Sequence, residues 1–148
     1  MTIKVPKKRF YEFFKRIFDI LISCIVLIFL IPWFALISIC IKVNSPEGPI
    51  LYRGKRAARG GGNFNLYKFR TMTVNADKVG GFSTALDDPR LISIGRILRK
   101  YKLDELPQLL NVLKGDISLV GPRPEVKYYT DLYKGEEKLI LSVKPGIT

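Results

Sequence analysis

Residues 20 to 41 read ILISCIVLIFLIPWFALISICI, a run without a single charged side chain. About 20 such residues cross a bilayer as one helix, so the run reads first as a membrane segment. A cleaved signal peptide fits less well, because the run is long and no small-residue cleavage site follows it. Pro32 stands in the middle. It supplies no N–H to the Ile28 carbonyl and its ring crowds that carbonyl, which predicts a break or kink.

The flanks bear on topology. Lys4, Lys7, Lys8, Arg9, Lys15 and Arg16 precede the run, and Lys42, Arg53, Lys55, Arg56 and Arg59 follow it. A spanning helix sends one basic flank across the membrane, against the positive-inside bias. A hairpin that turns at Pro32 keeps both flanks on one side, with arms of about 11 residues, roughly 16 Å each. The expectation is therefore a re-entrant helix-break-helix over residues 1–43, with a spanning helix as the alternative. Just ahead of the run, FYEFFKRIF (residues 10 to 18) alternates aromatic and basic side chains, as an interfacial amphipathic helix does, with its Lys and Arg near lipid phosphates. Cys24 and Cys40 lie inside the run, roughly 24 Å apart on a straight helix and too far for a disulfide. They read as small apolar fillers.

The chain has 148 residues, 25 Lys and Arg against 13 Asp and Glu, and no His. Its net charge of +12 favours polyanionic partners. The absence of His excludes His-containing metal sites and leaves carboxylate, lysine, tyrosine, thiol or hydroxyl groups to do any chemistry. The aromatics cluster beside the membrane run and not along a basic groove, which argues against nucleic acid.

NSPEGP (residues 44 to 49) ends any helix and opens a polar domain over 44–148. PILYR and FNLYKFRTM read as strands around the basic turn-rich loop RGKRAARGGGN, a hairpin whose tip arginines face lipid headgroups. Its glycines match no phosphate-loop spacing. Lys68 and Arg70 on the second strand are candidates to reach a ligand phosphate. TVNADKVGGFSTALDDPR is a polar loop or lid, and LISIGRILRKY has the apolar period of a helix. Leu103, Leu106, Leu109, Leu110 and Leu113 make a second apolar stripe, with Asp104, Gln108 and Asn111 on the opposite, polar face. Pro107 falls in that helix's first turn, which puts Asp104 and Glu105 at its N-terminus. KYYTDLYKGEEKL reads as one more short helix. The fold class is α+β, mostly α, with a membrane helix-break-helix, short cytosolic helices and one β-hairpin.

Asp104 and Glu105 are adjacent acids in a basic chain. As a helix cap they need no further explanation. The functional reading requires a cation and an anionic substrate. Arg99, Lys102 and Arg123 are basic candidates for phosphate oxygens. Glu105 can hold Mg²⁺, which takes one or two carboxylates plus substrate phosphates, and Asp104 can attack phosphorus.

KRIFDI, YKFRTM, the stretch DDPRLISIGRILRKYKLDELPQLLNVLKGDISLVGPRPE and KPGIT, in this order after one apolar segment, resemble the bacterial sugar transferases. These are monotopic polyprenyl-phosphate phosphoglycosyl transferases, and the resemblance runs from about Lys15 to Thr148. It implies an enzyme on the cytosolic face of a bacterial inner membrane, moving a sugar 1-phosphate from a UDP-sugar to undecaprenyl phosphate to initiate glycan assembly. By the same resemblance Asp104 is the nucleophile of a covalent phosphosugar intermediate, and UMP leaves. Glu105 helps bind Mg²⁺, Arg99 and Arg123 are phosphate ligands, and Pro32 is the membrane break. The chain departs from the family where Ile31 replaces a frequent serine. It departs again where Gly54, Arg56 and Ala58 stand in place of Gln-x-Arg-x-Gly. Relatives continue past PGIT into a Gly-Trp-rich segment with another arginine, so the expectation is a truncated catalytic domain. The competing reading is a non-catalytic basic monotopic membrane adaptor, and a homodimer is an open alternative.

Overall fold

A computed structural model describes residues 9–76 and 88–147. Lys4, Lys7 and Lys8 of the basic flank, and most of the expected lid (residues 77–87), lie outside the described residues.

Helix α1 runs from Arg9 to Asn44. Its 36 residues measure about 54 Å at 1.5 Å each, longer than a hydrocarbon core of about 30 Å. Among the described residues it is the one helix long and apolar enough to cross a membrane, and only 11% of its apolar window is buried in protein. The helix passes through Pro32 without interruption, so the expected helix-break-helix is not a gap in helical structure. Proline removes one hydrogen bond and crowds one carbonyl, a local cost of about 3 kcal/mol that long apolar arms on both sides outweigh. Cys24 is exposed on this helix and only Cys40 is partly covered.

The rest of the chain forms β1 (Leu51–Ala57) and β2 (Asn63–Phe69), paired as one two-stranded hairpin. Helices α2 (Ser93–Lys100), α3 (Gln108–Lys114) and α4 (Lys127–Thr130) follow, and a 3-10 helix spans Gly135–Ser142. The hairpin is longer than its sequence suggests: Gly54 to Ala57 belong to β1, and Gly60 and Gly61 carry positive φ (81° and 83°) at the tip. These glycines serve the turn, as the spacing implied.

The chain divides into two compact units, each made of segments distant in sequence. One comprises residues 1–28, 54–66 and 108–148; the other comprises 29–53 and 67–107. The division within α1 falls after Ile28, whose carbonyl is the one Pro32 leaves without an N–H.

In the first unit Leu66, Val112 and Ile117 form the core, with Phe64, Leu119 and Ile147 against it. The start of α1 is gripped by polar contacts. Ser118 Oγ donates to Asp19 Oδ2 at 2.7 Å, and the Leu119 N–H points at Asp19 Oδ1 at 3.3 Å. Lys15 donates to Ser118 Oγ and to the Val120 carbonyl. Arg16 donates to the carbonyls of Val112 and Leu113, closing the C-terminus of α3 where a cation complements the helix dipole. Arg59 donates to Glu12 and to the Ser142 carbonyl. Lys15, Arg16 and Arg59, expected to face lipid phosphates, are thus engaged by protein acceptors.

In the second unit Ile37 and Ile41 of α1 pack with Phe69, Ile92 and Leu98, and Phe34 meets Phe69 at 5.0 Å between ring centroids. Gly95 of α2 lies so near the chain after β2 that a Cβ there would stand 2.1 Å from the Thr71 carbonyl oxygen. Arg90 donates to both carboxylate oxygens of Asp88 and to the Ala76 carbonyl, tying together the two edges of the segment outside the described residues.

Candidate active site

Helix α2 ends at Lys100, and the chain turns through Lys102 in the left-handed region (φ 58°), where a helix C-terminus usually places glycine. That turn feeds a 3-10 turn, Leu103–Glu105, which carries both acids. The dyad therefore sits in its own turn ahead of α3, and Pro107 precedes that helix, which begins at Gln108, instead of lying in its first turn. The expected polar face is also the buried one. Asp104 is 5% exposed, Gln108 3% and Asn111 0%. The reason is hydrogen bonding: Asn111 Nδ2 donates to the Asn65 carbonyl at 2.7 Å and to Asp116 Oδ2 at 2.9 Å, so a polar side chain serves as a core residue.

Around the dyad the second unit assembles Lys68, Arg99 and Thr71. Lys68 Nζ donates to Glu105 Oε1 at 2.8 Å and stands 4.0 Å from Asp104 Oδ2. The cation that makes adjacent carboxylates tolerable is thus a lysine from β2. Asp104 Oδ1 is buried and has no hydrogen-bond partner among the described residues. Burial pushes the Asp104 carboxyl above the usual aspartate range. Lys68 pulls it back down, the Glu105 charge adds to the rise, and Arg99 opposes it. A buried carboxylate with one open oxygen, beside a second carboxylate and two cations, is equipped to act on a phosphorylated electrophile.

Arg99 Nε donates to Thr71 Oγ1 at 2.9 Å, a contact that the close approach at Gly95 permits. Arg70 is not brought to the dyad. Strand β2 ends at Phe69, so the period-two alternation that would put Arg70 on the same face as Lys68 is lost. Arg70 is 5% exposed, and its guanidinium donates to the Pro49 carbonyl and to Ser45 Oγ and carbonyl oxygens. Arg123 belongs to the other unit, where it lines a pocket with Arg59, Tyr133 and the prolines 122, 124 and 145. Sequence reasoning missed Thr71, whose hydroxyl no spacing rule links to Arg99. It also missed that Lys68 pairs with the dyad itself.

Among the described residues no cluster of three or more Cys, Asp or Glu could cage a metal. The pair at 104–105 nevertheless fits Mg²⁺, which characteristically combines one or two carboxylates with substrate phosphates, and the open Asp104 oxygen fits an unfilled polar role.

The sequence also matches known proteins. The family model described as bacterial sugar transferase matches residues 10–148. An undecaprenyl-phosphate galactose phosphotransferase of Salmonella typhimurium is 42% identical over 156 residues, covering 95% of this chain and 32% of its own length. A UDP-N-acetylgalactosamine-undecaprenyl-phosphate N-acetylgalactosaminephosphotransferase of Aeromonas hydrophila is 38% identical, covering 93% of this chain and 33% of its own. A UDP-glucose:undecaprenyl-phosphate glucose-1-phosphate transferase of Caulobacter vibrioides is 39% identical, covering 90% and 51%. The chain thus spans a third to a half of these relatives' length. The match takes in the long apolar helix, the hairpin and the buried dyad alike, and the chain belongs to the bacterial sugar transferase family.

Proposed function

We propose that this chain carries a phosphoglycosyl transferase site that moves a sugar 1-phosphate from a UDP-sugar to undecaprenyl phosphate. The observation that carries the reading is the buried Asp104 carboxylate with its open oxygen beside Glu105 and Lys68. Asp104 attacks the phosphorus that bears the sugar, the bond to the bridging oxygen breaks, and UMP leaves with that oxygen. An oxygen of undecaprenyl phosphate then attacks the same phosphorus, forming the diphosphate-linked product and returning the Asp104 carboxylate. The acceptor is already ionised at neutral pH, so no strong general base is required, in keeping with a chain that has no His. Lys68 and Arg99, beside the dyad, are the phosphate ligands in this reading, and Arg123 is a phosphate ligand only as the family resemblance implies. Mg²⁺ held at Glu105 would mask phosphate charge when bound. The relatives' names support both substrates, and they differ in the sugar.

The membrane arrangement that suits this chemistry keeps both flanks of α1 on the cytosolic face, supported by the basic residues at each end and by Pro32. Cysteines introduced near Lys4 and near Lys55 should both react with impermeant thiol reagents from the cytosolic side. Labelling from opposite sides would establish a spanning helix.

The chemical test is UMP release from UDP-sugars in detergent with Mg²⁺, before any acceptor is added. Asp104→Asn should abolish both the release and a trappable phosphosugar adduct. UMP that forms only with undecaprenyl phosphate present, and no adduct, would indicate a single direct displacement. An adaptor would release no UMP with any donor. Because the chain spans a third to a half of the length of the relatives compared, the assay belongs on this chain and, in parallel, on a full-length relative.

A further inference from the structure

Lys68 holds a position that the proposed chemistry needs for something else. Its ammonium is 2.8 Å from Glu105 Oε1, on the side chain assigned to the divalent ion, and 4.0 Å from Asp104 Oδ2. All three side chains are largely buried, with side-chain exposures of 20% for Lys68, 12% for Glu105 and 7% for Asp104. In such surroundings charge is poorly screened, so two carboxylates beside one ammonium bind a further cation far less well than the bare pair. Arg99 adds a second positive charge that acts on Asp104. An ammonium on a four-carbon stem can also move, whereas Arg99 is held at Thr71.

We infer that Lys68 is the resting counter-ion of the Asp104–Glu105 pair, and that it excludes a divalent cation until the donor's phosphates draw its ammonium away. Lys68 then has two partners in sequence: the dyad before the donor binds, and a phosphate oxygen afterwards. The metal consequently enters with or after the donor, never before it. This rests on the dyad being the metal site, as proposed above, and goes beyond it by assigning an order of binding and the residue that enforces it. A lysine suits this role because it offers a compact point charge that can change partners without a fixed planar geometry.

The test reads metal binding directly and needs no turnover. Mn²⁺ affinity is measured by electron paramagnetic resonance on the full chain in nanodiscs, with and without saturating UDP, against protein-free UDP controls. Lys68→Met keeps the aliphatic stem and removes the charge. Without UDP, Lys68→Met should bind Mn²⁺ at least roughly tenfold more tightly than wild type, the range of an ordinary coupling between two ligands. With UDP, the two should agree within about twofold, because Lys68 has left the dyad. Equal or weaker binding by Lys68→Met without UDP would overturn the inference. So would a tenfold gap that persists with UDP, since that describes a fixed repulsion and no exchange of partners. Glu105→Gln in the presence of UDP separates this from failure of the underlying reading. If Glu105→Gln leaves Mn²⁺ affinity unchanged, the dyad is not the metal site and both proposals fall. If it weakens binding while Lys68→Met shows no gap, only the role of Lys68 falls. Far-UV circular dichroism melts of each variant establish that the comparison is between folded proteins.

Discussion

At Asp104 one carboxylate meets two opposed demands: burial makes its charge costly, and the proposed chemistry requires that charge. Its pKa is raised chiefly by burial, so the folded protein holds the proton more tightly than the unfolded chain. The associated stability is present at low pH and is lost as the pH rises through the folded value. Asp104→Asn, which removes the charge and keeps the shape, should therefore stabilise the protein at neutral pH by about 1 kcal/mol while abolishing UMP release. The gain should shrink as the pH falls and vanish well below the unfolded value of 3.8, where the wild-type carboxyl is protonated in both states, and thermal melts across pH measure it. Asp88 behaves in the opposite sense. Hydrogen bonds from the Arg90 side chain, then from its backbone N–H, lower its pKa from 3.8 to about 2. Its contribution is present above the unfolded value and is lost as the pH falls toward about 2. Asp88→Asn should lower the unfolding midpoint at neutral pH, and the gap from wild type should close in acid.

Helix α2 owes its position to one missing Cβ. Alanine at Gly95 would bring a methyl within 2.1 Å of the Thr71 carbonyl, a clash with backbone that no rotamer relieves. Gly95→Ala should cost about 1–3 kcal/mol of stability in denaturant unfolding. It should also weaken donor binding, because the Arg99–Thr71 hydrogen bond depends on the same approach. The helical period of LISIGRILRKY was legible in the sequence, and the helix lies at Ser93–Lys100. Which neighbour it meets was not, since a small residue in a helix says only that something can come close. The Leu stripe of α3 is a similar case. It holds as a helix only from Gln108, since Leu103 and Leu106 precede α3, and Asn111 is fully buried on the other side because the Asn65 carbonyl and Asp116 receive its donors.

Taken as a whole molecule, the chain is held by contacts between residues far apart in sequence. Asp19 and Ser118 are separated by 99 positions, both nearly buried, and Lys15 joins them. Asp19→Ala should destabilise the protein by about 2 kcal/mol, since it leaves the Ser118 O–H without its acceptor and strips Lys15 of a partner. Asp19→Asn retains an acceptor and should cost less, and unfolding midpoints in one detergent would compare them. Replacing Pro32 by Leu restores the Ile28 hydrogen bond and should shift thiol labelling toward a spanning arrangement, if the proposed topology holds. The sequence alone determined that residues 20–41 form a long uncharged membrane-type segment, that a hairpin and short helices follow, and that two acids stand adjacent within a family-specific stretch, whereas the continuity of the helix through Pro32 came from the structure. The first three follow from local period, composition and residue order, which need no knowledge of distant partners. Only the tertiary structure decided that Lys68 and not Arg70 faces the dyad, and that Lys15, Arg16 and Arg59 are bound to protein groups. It also decided that the polar face of α3 is a buried one. In each case a side chain's charge was plain from the sequence, but its partner is chosen by packing, because a buried polar group goes wherever the fold can satisfy it.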